Sequence, residues 1–169
     1  SSSIELRLDA NGAFTSENAL ERLNRLSEFD IHSIEQPIKS GQWEAMARLC
    51  RLSPIPIALD EELIGFHSDD FKTRLLDTIS PAYIILKPSL CGGFEESDRW
   101  IELAENRNIG WWATSALESN IGLNAIAQWV ACYNPTMPQG LGTGALYTNN
   151  FPSPLQLEGD NMYFRPCNS

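Results

Sequence analysis

Ala58-Leu59-Asp60-Glu61-Glu62 is the stretch on which the fold turns, because three others are placed like it. Ile4-Glu5-Leu6-Arg7-Leu8-Asp9 is a short run closed by an acid, and Ile31-His32-Ser33-Ile34-Glu35 is another. Tyr83-Ile84-Ile85-Leu86-Lys87 closes with a base. The closing positions 9, 35, 60 and 87 are 26, 25 and 27 residues apart. A strand, a helix and two turns need about that length. The interval therefore predicts a repeated βα unit and an all-parallel sheet. Ionisable groups at the C-terminal ends of several different strands favour a barrel, whose sites lie on that face.

The segments between the runs carry helical periodicity. Ala19, Leu20, Leu23 and Leu26 share one face, after a cap at Thr15 or Ser16. A second helix is predicted over 42–52, with Trp43, Met46, Ala47 and Cys50 inward. A third spans 66–76 with Ser68 as a cap, and a fourth spans 94–107 with Trp100, Leu103 and Ala104 toward the sheet. The segment 109–115 reads as a strand. A helix over 120–133 follows, with Ile121, Ala125, Gln128 and Cys132 on one stripe. A last short strand is expected over 139–142. Beyond Gly144 the chain is rich in turns and is expected to wrap back over a surface.

The 169 residues suit one domain, and 43% hydrophobic with 20% charged residues is a soluble globular composition. A net charge of −10 argues against nucleic acid, whose phosphates need a basic face. No apolar run is long enough for a bilayer, no signal peptide is visible, and Cys50, Cys91, Cys132 and Cys167 are scattered without a CxxC. The expectation is a cytoplasmic protein with reduced thiols and no membrane partner.

A charge buried alone at a strand end is costly, so it needs a partner. Asp9, Glu35 and Asp60 would repel one another on convergence, and a divalent cation removes that repulsion. Hard carboxylate oxygens suit Mg²⁺. Lys87 is then placed to serve as acid, base or electrostatic partner opposite the metal. The bland alternative is that strand-end acids cap the helices that follow. Asn11 and Gln36 are candidates for orienting the carboxylates from behind, and Glu61 for orienting Lys87 or its partners.

Leu8-Asp9-Ala10-Asn11-Gly12, Ile34-Glu35-Gln36-Pro37, Leu59-Asp60-Glu61-Glu62 and Leu86-Lys87-Pro88, followed by Gly92-Gly93, occur here in that order. The ordered set resembles the enolase superfamily and, within it, the o-succinylbenzoate synthases. The resemblance covers nearly the whole chain. It implies that residues 1–169 form a partial (β/α)7β barrel domain of about six parallel strands. These would be strands three to eight plus a C-terminal tail, without the capping domain and the first two barrel strands. It implies Mg²⁺ on Asp9, Glu35 and Asp60, with Lys87 facing an enediolate as a cation. Ser115, in Ala113-Thr114-Ser115-Ala116-Leu117-Glu118-Ser119, is similar to the seventh-strand motif that holds a substrate carboxylate. Gly142-Thr143-Gly144 follows the eighth strand, where Gly142 and Gly144 would let backbone amides approach an anion.

The implied reaction is dehydration of 2-succinyl-6-hydroxy-2,4-cyclohexadiene-1-carboxylate to o-succinylbenzoate, a menaquinone precursor. The superfamily's base is a lysine in a Lys-X-Lys motif on the second barrel strand. The lysines here are Lys39, Lys72 and Lys87, with no Lys-X-Lys among them. The chain alone is therefore expected to be inactive and to self-associate along its open edge, borrow another chain or be poorly stable. The alternatives kept open are an N-succinylamino acid racemase or dipeptide epimerase of the same superfamily, and a non-catalytic metal-binding fragment.

Overall fold

A computed structural model describes residues 4–144 and 146–165. Five strands form one sheet: β1 (Leu6–Asp9), β2 (Ile31–Glu35), β3 (Ile57–Leu59), β4 (Tyr83–Leu86) and β5 (Gly110–Ala113). They pair in sequence order, every pair parallel. The connecting helices are α1 (Ala19–Leu26), α2 (Trp43–Leu52), α3 (Asp69–Ile79) and α4 (Phe94–Glu105), with α5 (Asn120–Ala131) after β5. The architecture is an open half-barrel of βα units.

Two layers of side chains explain this arrangement. Ile34, Ile57, Leu59, Ile84 and Leu86 face the helices and pack against Leu23, Met46, Leu75, Leu76 and Trp100 in the main core. Ala58, Ile85 and Trp112 form a second cluster with Tyr83 and Met137. The alternation along β3 and β4 assigns that second cluster to the inner face of the half-barrel. Trp112 is thus core, with the Arg7 guanidinium 4.3 Å over its ring, while Trp111 packs with the helix layer.

The expected sixth strand is a single parallel bridge, Thr114 to Gly140, not a strand. Gly140 N–H donates to Ala113 O, and Gly140 O accepts from Ser115 N–H. A Cβ on Gly140 would lie 2.5 Å from Thr114 Cγ2, so only glycine permits this approach. The tail holds an element the sequence reading lacked. Strands β6 (Leu155–Glu158) and β7 (Asn161–Phe164) form an antiparallel hairpin. Leu155 and Met162 pack it on Leu123, Ile126 and Val130 of α5.

Helix α5 also corrects its expected stripe. Ile121 is 61% exposed, and Leu123, Ile126 and Val130 are the buried positions. Lys72 of α3 is 1% exposed and paired with Glu96 of α4.

Candidate active site at the strand ends

Asp9, Glu35 and Asp60 stand at the ends of β1, β2 and β3, which are neighbours in the sheet. Asp9 and Glu35 are register partners. Burial deepens along the row: Asp9 is exposed, Glu35 is intermediate and Asp60 is fully buried. Lys87, just past β4, extends its ammonium across this row. It pairs with Asp60 Oδ2 and lies 3.8 Å from Glu35 Oε1. The structure thus brings the four sequence-predicted strand-end groups to one mouth.

Burial and crowded negative charge together set the electrostatics of that mouth. Burial, then the hydrogen bond and charge of Asp60, and then the Asp9 charge, push Glu35 up to about 9. Burial pulls the Lys87 ammonium down. The hydrogen bond and charge of Asp60, with Glu35 and Glu61, outweigh that and leave it raised. Glu61 is raised by burial first and by the Asp60 charge second.

The groups behind the carboxylates hold them in place. Gln36 is fully buried with a left-handed φ of 38°. Its Oε1 accepts from Asp60 N–H at 3.2 Å, and its Nε2 donates to Ile38 O at 3.0 Å. Its backbone O accepts from Gly12 N–H, so one residue ties the ends of three strands together. Asn11, with φ 45°, donates its N–H to Asp9 Oδ1 at 2.8 Å and its Nδ2 to Glu61 Oε1 at 3.0 Å. Glu61 opens a 3-10 turn, Glu61–Leu63, and from there reaches Asn11 in the mouth.

Sequence reasoning missed Glu62. It is buried, and its carboxylate accepts from Gly41 N–H at 3.0 and 3.1 Å and from Trp43 Nε1 at 3.2 Å, just before α2. An acid beside a helix start was a legible signal in principle. The partner helix, though, precedes Glu62 in the chain, and no local pattern links the two.

The predicted substrate-binding residues lie beyond β5. Ser115 is buried, and its Oγ bonds the Thr143 hydroxyl and accepts from Leu117 N–H at 3.2 Å. Thr143 brings Gly142 and Gly144 beside it. A Cβ added at Gly144 would crowd Asn120 Oδ1 and Leu123 Cδ2, each at 3.1 Å. Gly142 has open space around it. The first N–H of α5, that of Asn120, is already satisfied by Asn150 Oδ1 at 2.8 Å. The side-chain hydrogen bonds of Ser115 run to Thr143 and Leu117, not to the acids.

The donors fit a divalent cation by type. Asp60 Oδ1 is buried without a hydrogen-bond partner, and the Asp60 and Asp9 charges add to burial in raising Glu35. As the side chains stand, no three acidic, histidine or cysteine groups among the described residues are arranged as a metal set. The Lys87 ammonium supplies the counter-charge at Asp60 instead.

Three comparisons bear on this geometry. The Enolase C-terminal domain-like family matches residues 1–165. The o-succinylbenzoate synthase of Desulfotalea psychrophila is 64% identical over 156 residues, which are 92% of this chain and 42% of that protein. The N-succinylamino acid racemase of Amycolatopsis sp is 27% identical over 162 residues, 94% of this chain and 42% of that one. Among solved structures, MenC from Desulfotalea psychrophila superposes with a TM-score of 0.91 at 62% identity, over 94% of this chain and 44% of that one. Muconate lactonizing enzyme from Pseudomonas putida gives 0.86 at 26% identity, over 96% and 45%. The chain spans less than half the length of each of these relatives.

Proposed function

We infer the function from family membership: this chain belongs to the enolase C-terminal domain-like family, and we propose that it is the catalytic-barrel portion of an o-succinylbenzoate synthase. One observation carries the reading. Lys87 lies between Asp60 and Glu35 at the mouth of a half-barrel similar in sequence to the Desulfotalea psychrophila synthase. The activity is a lyase reaction on 2-succinyl-6-hydroxy-2,4-cyclohexadiene-1-carboxylate. A base takes the proton from the carbon that bears the carboxylate, the neighbouring C–O bond breaks as a ring double bond forms, and the hydroxide takes up a proton and leaves as water. The product is o-succinylbenzoate.

Asp9, Glu35 and Asp60 would hold Mg²⁺, with the buried Asp60 Oδ1 free to accept it. When bound, the cation supplies charge stabilisation at the substrate carboxylate. Gln36 orients Asp60 through its backbone, and Asn11 orients Asp9. Lys87 stays a cation, because the surrounding acids hold its proton. It stabilises negative charge that develops next to the carboxylate. Ser115 and the Gly142–Gly144 loop receive the distal, anionic end of the substrate. The similarity to an N-succinylamino acid racemase supports a second activity at the same site, since both substrates carry a succinyl group.

The test is an assay of the intact enzyme with the cyclohexadiene substrate, and separately with an N-succinylamino acid, with and without Mg²⁺. Asp60→Asn should lower both Mg²⁺ affinity and turnover by tenfold or more, about 1.4 kcal/mol each. Lys87→Ala should depress kcat far more than it raises KM, because its charge acts on the transition state. Full turnover in Asp60→Asn would remove the metal site. A pure KM effect at Lys87 would reassign it to substrate binding.

A further inference from the structure

We propose that Tyr147 is a positioning residue for the loop after β5: its hydroxyl holds Leu117 in a left-handed backbone conformation and so sets Ser115 against Thr143. This rests on the reading of Ser115 as a substrate ligand. Leu117 has φ 63°. Among the described residues, the other non-glycine positions with positive φ are Asn11, Gln36, Ser80, Asn108 and Asn134, all polar. Asparagine tolerates this region, whereas a leucine Cβ crowds its own carbonyl there. Burial does not explain the conformation, because Leu117 is 52% exposed.

Two hydrogen bonds hold it. Tyr147 Oη donates to Leu117 O at 2.9 Å, and Leu117 N–H donates to Ser115 Oγ at 3.2 Å. Ser115 Oγ also bonds the Thr143 hydroxyl, and Leu146 N–H donates back to Thr143 O. The chain thus closes a ring from Thr143 through Ser115, Leu117 and Tyr147. The segment that carries Tyr147 is itself anchored. Asn150 Oδ1 accepts from Asn120 N–H, and Phe151 O accepts from Asn120 Nδ2. Ser119, at the N-cap position of α5, makes no side-chain cap of its own. The tail therefore supplies the α5 cap and the Leu117 clamp together. Strained backbone kept beside a candidate binding serine is the pattern of a preorganised site.

The experiment is Tyr147→Phe in the intact enzyme, alone and with Leu117→Gly. Tyr147→Phe should raise KM for the cyclohexadiene substrate roughly threefold to tenfold, the loss of one hydrogen bond, with kcat within about twofold. Leu117→Gly in the Tyr147→Phe background should restore most of that KM, because glycine adopts the left-handed conformation without a clamp. An unchanged KM in Tyr147→Phe, or a raised KM that glycine fails to rescue, overturns the proposal. A lowered Tm with an unchanged KM overturns it too. Amide exchange at Leu117 separates this idea from the proposed function. If the wild-type enzyme lacks dehydratase activity, faster Leu117 exchange in Tyr147→Phe still supports the clamp, and equal exchange overturns it.

Discussion

Glu35 shows how one residue can report on the state of the whole mouth. Its carboxyl is pushed from 4.5 to about 9 by burial and by the charges of Asp60 and Asp9. An unfolded glutamate ionises at its ordinary value, so folding takes up a proton between these two limits. The stabilising contribution of this group is complete below pH 4.5 and is lost as pH rises through about 9. The metal-free protein should therefore show a Tm that falls across that window. Saturating Mg²⁺ should flatten the profile, since a bound cation favours the ionised carboxylate. A metal-free profile that rises across the window would refute the raised Glu35 carboxyl. The strand-end acids and Lys87 were legible in the sequence because an ionisable group closing an apolar run is a local signal. The tie from Gln36 to Asp60 spans two strands, and its partners show only when the strands lie side by side.

Helix α3 carries both kinds of outcome at the scale of the element. Its Ser68 cap was readable, and Ser68 Oγ accepts from Phe71 N–H in the structure. Its fourth residue, Lys72, was not. Lys72 is buried between α3 and α4, paired with Glu96 and lying 5.6 Å from the Trp100 ring. Removing one member of a buried pair strands the other charge, which costs about 3–5 kcal/mol, and replacing both with apolar residues is often neutral. Glu96 keeps some solvent access, so the lower end of that range applies. Lys72→Ala should lower unfolding stability by about 3 kcal/mol, and the double variant Lys72→Met with Glu96→Leu should recover most of it. Denaturant unfolding of both variants checks this. A single variant as stable as the parent would show the pair to be idle. Helix α5 explains the other miss. It is apolar on most sides, so periodicity alone did not say which stripe turns inward. The β6–β7 hairpin and β5 decide in favour of Leu123, Ile126 and Val130.

For the whole molecule, the consequence is an open edge. β1 ends the sheet on one side with Leu6 44% exposed, and the Thr114–Gly140 bridge ends it on the other. Arg7 reaches part of the way across, with its guanidinium over Trp112 and a hydrogen bond to Pro138 O. Unpaired strand edges template association, and apolar area left in water forfeits about 25 cal/mol per Å². Residues 1–169 by themselves should thus self-associate and show no dehydratase activity. Sedimentation in dilute solution, together with the cyclohexadiene assay, tests both. A monomer with a cooperative melt, or measurable turnover from this chain alone, would contradict the expectation.

The sequence by itself determined the parallel βα repeat, its period and the four ionisable strand ends. These are local: an apolar run of limited length, a closing charge and a recurring interval specify them without distant contacts. Only the tertiary structure decided what those groups do to one another. Lys87 meets Asp60, Gln36 holds Asp60, Glu62 serves a helix that precedes it, and Tyr147 clamps Leu117 from 30 residues away. Each of these joins groups from different βα units or from the tail. Their spacing follows from how the strands stack and where the tail crosses α5. No repeat or composition along the chain encodes those distances.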